Sequence, residues 1–207
     1  MTNTALPLSR PATLVKRALL GWFERGRWDV EGALPLPPKA VIMGAPHTSN
    51  YDFLIFLGAM EKLRVEGRYI GKASLFRWPP MARFMRAVGG IPVDRTVKND
   101  LVAQAAAEFG KSDHMLLVIA PEGTRDPTTQ WRMGFYRIAL AAGVPIVCAG
   151  PDYTRKVAIF SEPIVPTGDM ERDLQPAWAF FRTLKPRFPD KVLFPDGTGM
   201  DGRQRGA

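Results

Sequence analysis

Short apolar runs of strand length alternate with helical stretches along most of this chain. The apolar runs lie at 40–45, 115–120 and 145–149, and the helical stretches lie at 50–63, 101–109 and 134–142. Such alternation requires crossover connections, and therefore a mainly parallel sheet with helices on its faces. In a sheet of this kind, functional sites form in the loops that follow the carboxyl ends of the strands.

Further elements extend the same pattern towards both ends of the chain. Shorter strands are predicted at 68–71, 91–93 and 157–160, and helices at 11–27, 74–88 and 174–184, the second of these interrupted at Pro79-Pro80. A chain of 207 residues is long enough for one buried core. We therefore predict a single α/β domain over 31–190, with an N-terminal amphipathic helix within 1–30 and a loose, Gly-rich tail over 191–207.

The excess of basic residues narrows the choice of partners. The chain has 28 Lys and Arg against 20 Asp and Glu, a net charge of +8 that favours nucleic acid, anionic lipid headgroups or an acidic carrier protein. Nucleic acid is disfavoured because the basic residues are scattered rather than massed with aromatic residues. A single cysteine, Cys148, permits no internal disulfide, and with two histidines it is too little for a typical zinc site, so no metal is expected.

The N-terminal helix has the composition of a segment that lies flat on a membrane. Its apolar residues group on one side, and four basic residues are available to lipid headgroups: Lys16, Arg17, Arg25 and Arg27. A helix packed on the domain's own core has the same period and is an equal alternative.

No apolar run approaches the roughly 20 residues that span a bilayer, and no signal-peptide pattern begins the chain. The expected location is the cytoplasm, peripheral on the cytoplasmic face of the membrane.

The loop after the first central strand carries the strongest candidates for catalysis. Within residues 45–52, His47 and Asp52 lie five positions apart. With His47 in the loop and Asp52 in the first helical turn, the carboxylate is able to turn back towards the imidazole. Ser49 and Asp52 equally match a capping box, in which the carboxylate only satisfies free N–H groups at the helix start. The spacing leaves both interpretations open.

Two further strand ends offer groups that bind phosphate. Arg95 follows a short strand and is suited to clamp a phosphate with two hydrogen bonds, although a surface ion pair with Asp94 is an alternative. The loop 121–125 follows a buried strand and combines a glycine with a carboxylate, a hydroxyl and a guanidinium, although an ordinary turn is an alternative. Lys72, at another strand end, is a weaker candidate.

Three loops in this order, each after a strand, and a fourth block form one continuing pattern. The blocks are His47-x4-Asp52, Gly90-Ile91-Pro92-Val93-Asp94-Arg95, Pro121-Glu122-Gly123-Thr124-Arg125 and Val144-Pro145-Ile146-Val147. Together they resemble the glycerolipid acyltransferases, specifically the lysophosphatidic acid acyltransferase-like branch, over residues 41–150. Two positions depart from the family pattern: Pro46 stands where asparagine is common, and Cys148 where proline is common. These departures bear on the acceptor's identity more than on the reaction.

The resemblance implies an acyltransferase domain over 31–190 with a glycerol-3-phosphate acyltransferase-like fold. It implies that His47 and Asp52 carry the chemistry, and that other residues hold the acceptor's phosphate: Arg95, Glu122, Gly123, Thr124 and Arg125. The expected reaction moves a fatty acyl group from acyl-coenzyme A or acyl carrier protein to the hydroxyl of a lysophospholipid such as 1-acylglycerol-3-phosphate, without a cofactor. His47 is then the general base and Asp52 orients it.

Two other functions stay open. They are a non-catalytic membrane-surface protein that binds lipid phosphate, and an acyltransferase for a non-glycerolipid acceptor. A serine hydrolase is disfavoured because no Gly-x-Ser-x-Gly occurs, and a nucleotide-dependent enzyme because no P-loop or dinucleotide fingerprint occurs. Cys148, inside an apolar strand, is expected to be a buried residue and not a nucleophile.

Overall fold

A seven-stranded sheet forms the centre of a single α/β domain, and helices cover both of its faces. The computed structural model describes residues 10–93 and 101–205. The strands are β1 (Asp29–Gly32), β2 (Lys39–Gly44), β3 (Gly67–Lys72), β4 (Gly90–Val93), β5 (Met115–Ile119), β6 (Ile146–Asp152) and β7 (Val157–Phe160). The helices are α1 (Arg10–Arg25), α2 (Asn50–Leu63), α3 (Pro79–Ala87), α4 (Leu101–Gly110), α5 (Gly134–Ala142), α6 (Met170–Asp173) and α7 (Gln175–Thr183). Short 3-10 helices lie at Ala73–Phe76 and Pro189–Lys191.

The predicted mainly parallel sheet is confirmed. The strand order is β1-β7-β6-β2-β5-β3-β4, and the neighbouring strands are parallel except for β6 and β7, which are antiparallel. Strand β1 is not among the predicted strands, because four mostly polar residues are too short a pattern to indicate a strand. The predicted break at Pro79-Pro80 separates a 3-10 turn from α3, which begins at these prolines because a first-turn position needs no N–H donor.

Alternate residues of the central strand β2 point to opposite faces of the sheet. Val41 and Met43 are fully buried in a cluster with side chains of α4, α5 and α7, whereas Ala40 and Ile42 are fully buried in a cluster with α1 and α2. A central strand buried on both faces is what helices on both sides require. Because α2 follows β2 and α5 follows β5, the chain leaves these neighbouring strands towards opposite faces, and a crevice opens between their ends.

Helix α1 packs on α2 and belongs to the core. The Phe23 side chain is fully buried, and Gly58 of α2 makes room for it, since a Cβ at position 58 would lie 2.5 Å from Phe23 Cδ2. Lys16, predicted to reach lipid headgroups, instead pairs with Glu61 at 3.3 Å. Trp22 stays 38% exposed. Among the described residues, no helix has the length and apolar character needed to cross a membrane.

The C-terminal segment is folded as far as the structure describes it, so the prediction of a loose tail over 191–207 is wrong for that part. Val192 and Phe194 are buried in the core. Trp131 Nε1 donates a hydrogen bond to Leu193 O at 2.9 Å, and its ring stacks on Phe194. The glycines and polar residues of this segment form turns, because the two buried apolar side chains anchor it.

Candidate active site

Three loops meet at one edge of the sheet, around the end of β2. Strand β2 lies between β5 and β6 and is parallel to both, so the chain leaves all three strands at the same edge. The loop after β2 carries His47, the loop after β5 carries Glu122, and the turn after β6 carries Tyr153. Side chains that are far apart in sequence therefore converge on one site.

Asp52 caps helix α2 and lies beside His47. Its Oδ2 atom accepts hydrogen bonds from the backbone N–H groups of Thr48 and Ser49, both at 2.7 Å. The second of these bonds belongs to the predicted capping box. The same Oδ2 atom lies 3.6 Å from His47 Nδ1, which is longer than a hydrogen bond, and Asp52 is only 6% exposed. The sequence leaves open whether Asp52 caps α2 or contacts His47, and in the structure it does both.

The other carboxylate oxygen of Asp52 is held by a residue that no sequence motif marks. Tyr153, in the turn between β6 and β7, donates its hydroxyl to Asp52 Oδ1 at 2.5 Å. Burial raises the pKa of the Tyr153 phenol, and the hydrogen bond to Asp52 raises it further. The two residues are 101 positions apart, so only the pairing of β6 with β2 brings them together.

The carboxylate of Glu122 points at the backbone of His47. The His47 N–H lies 3.0 and 3.2 Å from the two carboxylate oxygens. Burial raises the pKa of Glu122 to about 7, although the hydrogen bond from His47 acts in the opposite direction. The family resemblance implies a contact between this side chain and the acceptor's phosphate, whereas the structure shows it joining two loops of the protein.

The remainder of this loop borders a cavity. Gly123 has a φ of +65°, and a Cβ there would lie 3.3 Å from Arg132 Nε, so a glycine is favoured for both reasons. The Thr124 hydroxyl accepts a backbone N–H within the turn. Arg125 donates to Asn50 Oδ1 and so ties the loop to the first residue of α2.

The two other predicted phosphate ligands are Lys72 and Arg95. Lys72 is the last residue of β3, which lies beyond β5 and ends at the same edge of the sheet. Arg95 follows β4 and lies outside the described residues. The structure therefore brings together His47, Asp52 and the loop after β5, with Lys72 at a neighbouring strand end.

Two cavities meet at His47. The larger, of about 1320 Å³, is bordered by four basic side chains: Arg125, Arg132, Arg187 and Lys191. The smaller, of about 670 Å³, is lined mainly by apolar side chains of α2, α3 and the neighbouring strands. His47 lines both cavities, so a charged group in the larger and an apolar group in the smaller would both lie next to this residue.

Cys148 is buried, as predicted. It is fully buried in β6, and burial raises the pKa of its thiol to about 12. A thiol in that state is protonated at neutral pH and is not a nucleophile. The candidate chemistry therefore centres on His47.

Comparisons with known proteins give the family and a shared fold. No curated protein matches the chain. Among solved structures, the crystal structure of the 1-acyl-sn-glycerophosphate (LPA) acyltransferase PlsC from Thermotoga maritima is similar, with a TM-score of 0.58 and 19% sequence identity over 86% of this chain and 82% of that chain. This likeness shows a shared fold. The family model described as Acyltransferase matches residues 27–150, more than half of the sequence, and the chain therefore belongs to the acyltransferase family.

Proposed function

We propose that this acyltransferase moves a fatty acyl group from acyl-coenzyme A or acyl carrier protein to the free hydroxyl of a lysophospholipid such as 1-acylglycerol-3-phosphate. The observation that carries the proposal is the contact of His47 Nδ1 with Asp52 Oδ2, 3.6 Å apart, where a basic and an apolar cavity meet. The protein with the shared fold is named as an LPA acyltransferase, which supports a phosphorylated acceptor.

In the proposed reaction His47 is the general base. Its Nδ1 faces Asp52, so Nε2 serves the acceptor hydroxyl. Nε2 takes the hydroxyl proton as the oxygen attacks the thioester carbonyl carbon, which forms a tetrahedral oxyanion. The C–S bond then breaks, and the leaving thiolate takes the proton from the imidazolium. Asp52 orients the imidazole and stabilises its positive charge.

Arg125 is the described residue best placed for the acceptor's phosphate. Its guanidinium borders the larger cavity, and its contact with Asn50 Oδ1 keeps it close to the His47 loop. A guanidinium presents two parallel donors that match phosphate oxygens. Arg95 and Lys72 complete the proposed set. The other cations of the cavity suit the phosphates of either acyl donor.

Glu122 is assigned to the His47 loop and not to the acceptor. Both Glu122 oxygens face the His47 N–H, and this bond fixes the backbone that carries the base. In its ionised form the carboxylate would also repel a phosphate. Gly123 and Thr124 shape the turn that follows, so they support the phosphate site through the backbone.

Contact with anionic lipids on the cytoplasmic face of the membrane completes the proposal. The Trp22 and Tyr51 rings stack with centroids 6.5 Å apart, and the Arg187 guanidinium lies 4.2 Å from the centre of the Tyr51 ring. Phe188 is exposed beneath Arg187 and Lys191. We call these five residues the aromatic–basic rim. Aromatic rings beside cations suit the membrane boundary between lipid headgroups and acyl chains. Four of the five rim residues also line the larger cavity.

Replacement of His47 tests the base. We expect His47→Ala to lower kcat roughly 100- to 10,000-fold, because a positioned base contributes about that factor. The measurement is thiol release from long-chain acyl-coenzyme A with lysophosphatidic acid present or absent. His114→Ala is the matched control, since His114 is the other histidine and is exposed just before β5. Equal turnover by His47→Ala and the native protein would contradict the mechanism.

The same assay separates the alternative functions. A non-catalytic protein that binds lipid phosphate releases no thiol with acyl-coenzyme A or acyl carrier protein donors, yet its liposome affinity is unchanged by His47→Ala. An acyltransferase for a different acceptor releases thiol without preference for lysophosphatidic acid over other hydroxyl compounds.

Arg125→Lys tests the phosphate contact. We expect the KM for lysophosphatidic acid to rise about 10-fold, because lysine keeps the charge but not the paired donors. The KM for acyl-coenzyme A should change much less. Arg137→Ala, on the exposed side of α5, is the control. Equal rises in both KM values would argue against a specific contact with the acceptor.

Glu122→Gln should alter how stability depends on pH. The pKa of Glu122 is about 7 in the folded protein against 4.5 for a free side chain, so the folded state keeps a proton that the unfolded state loses between these values. The contribution of Glu122 to the free energy of unfolding is full below pH 4.5 and falls by up to about 3 kcal/mol as the pH rises to 7. Glutamine does not titrate. In urea unfolding, the free energy of unfolding of the variant should therefore rise relative to that of the native protein between pH 4.5 and pH 7.5. A difference between the two free energies that stays constant over this range would refute the assignment.

Single substitutions test the aromatic–basic rim. Trp22→Ala and Phe188→Ala should each weaken binding to phosphatidylglycerol vesicles about 5-fold, because partial burial of an aromatic ring contributes about 1 kcal/mol. Deleting α1 is a poorer test, since Phe23 belongs to the core. Val165→Ala is the control, because Val165 is 71% exposed outside the rim. Rim variants that bind as tightly as the control would show that another surface meets the lipid.

A further inference from the structure

We propose that Tyr153 is a positioning residue of the site: its hydroxyl holds the Asp52 carboxylate in the orientation that presents Oδ2 to His47. This rests on the proposed function, because it takes His47 as the base. The hydroxyl donates to Asp52 Oδ1 at 2.5 Å, a length typical of a hydrogen bond to an ionised oxygen.

The turn that carries Tyr153 is fixed at several points. Asp152, only 4% exposed, accepts two backbone N–H groups of the turn at 2.9 Å each. The Tyr153 N–H donates to Lys185 O at 2.8 Å. The Tyr153 ring packs edge-on against Trp28, with centroids 5.1 Å apart. A side chain held in this way brings its hydroxyl to one place with little further loss of conformational entropy.

The two oxygens of Asp52 have different donors. Oδ2 accepts hydrogen bonds from the backbone N–H groups of Thr48 and Ser49, and it faces His47. Oδ1 accepts a hydrogen bond from the hydroxyl of Tyr153, in the turn between β6 and β7. Without that hydroxyl, Oδ1 is buried without its bond, which raises the free energy of the ionised carboxylate. Its negative charge then acts more strongly on the imidazole.

Other charged groups surround the pair from each neighbouring element. Glu122 approaches His47 from the loop after β5, and Arg125 borders the cavity from the same loop. Arg187 lines the cavity from the C-terminal segment, and its charge also acts on Tyr153. The Tyr153 hydroxyl also interacts with the Ser49 side chain, which is uncharged. Removal of the hydroxyl deletes none of these charged groups, so a change in pH dependence reports on the lost contacts of the hydroxyl, of which the bond to Asp52 is the one to a charged group.

Substitution of Tyr153 by Phe should shift the pH dependence of kcat, whereas substitution of a purely structural residue should not. The native protein, Tyr153→Phe and His47→Ala are compared as full chains, by thiol release from long-chain acyl-coenzyme A with lysophosphatidic acid between pH 5 and 9. We expect kcat to fall about 10-fold with both KM values within 2-fold of native, since a bond to a charged group has about this effect. The acid limb of the profile should move to higher pH, because the less neutralised carboxylate holds the imidazolium proton more firmly.

Two further variants serve as controls, one for stability and one for donor strength. Tyr136→Phe also removes a tyrosine–aspartate hydrogen bond, in which the Tyr136 hydroxyl lies 2.6 Å from Asp173 Oδ2, outside the site. It should lower the melting temperature and leave the pH profile unchanged. Tyr153→3-fluorotyrosine keeps the size of the side chain and donates more strongly, so it should move the acid limb to lower pH.

The outcomes distinguish the two proposals. A Tyr153→Phe profile that superimposes on the native one, together with inactive His47→Ala, overturns the role of Tyr153 and leaves the proposed function standing. The role of Tyr153 is also overturned if the fluorotyrosine variant shifts in the same direction as Tyr153→Phe, or shifts nothing. Turnover by His47→Ala equal to native, or no turnover by the native protein with either donor, overturns the proposed function and the role of Tyr153 with it.

Discussion

The parallel pairing of β2 with β5 and β6 is the constraint on which the site depends. The register sets Met43 beside Ile119 on one side and beside Cys148 on the other. A slip of one residue moves a strand end by about 3.3 Å and turns its side chains to the other face. Such a movement exceeds the range of a hydrogen bond. The bonds from His47 to Glu122 and from Tyr153 to Asp52 therefore exist only because the apolar core fixes this register.

Asp52 links the stability of a helix to the geometry of the proposed reaction. The helix start needs an acceptor for its free N–H groups, and its dipole favours a negative charge there. The same carboxylate lies 3.6 Å from His47 Nδ1, so one side chain both caps the helix and contacts the imidazole. The gap is longer than a hydrogen bond, and catalytic contacts of this kind commonly tighten when substrate binds. One buried charge thus has three donors and a histidine as neighbours.

The parts of the fold and site that sequence predicts are the local ones. Runs of apolar residues indicate β2, β5 and β6 directly, and the capping box of α2 is complete within four residues. Glu122 is evident as a loop residue, but its contact with His47, 75 positions away, depends on strand register. Tyr153 belongs to no motif and reaches Asp52 only through β6. The prediction of a loose tail after residue 190 is wrong because it follows the polar composition, whereas two buried side chains, Val192 and Phe194, determine the packing of this segment.

The shared family segment and the rest of the chain contribute different things to the site. The family match ends at residue 150 and contains His47, Asp52 and the loop after β5. Tyr153 lies beyond that end, as do Arg187 and the other C-terminal residues that border the larger cavity. The proposed base, Glu122 and Arg125 therefore lie in the shared segment, whereas Tyr153, Arg187 and Lys191 lie outside it. The larger cavity is thus bordered by cations from both parts of the chain, and substitutions at Arg187 or Lys191 change its charge without touching the register of β2.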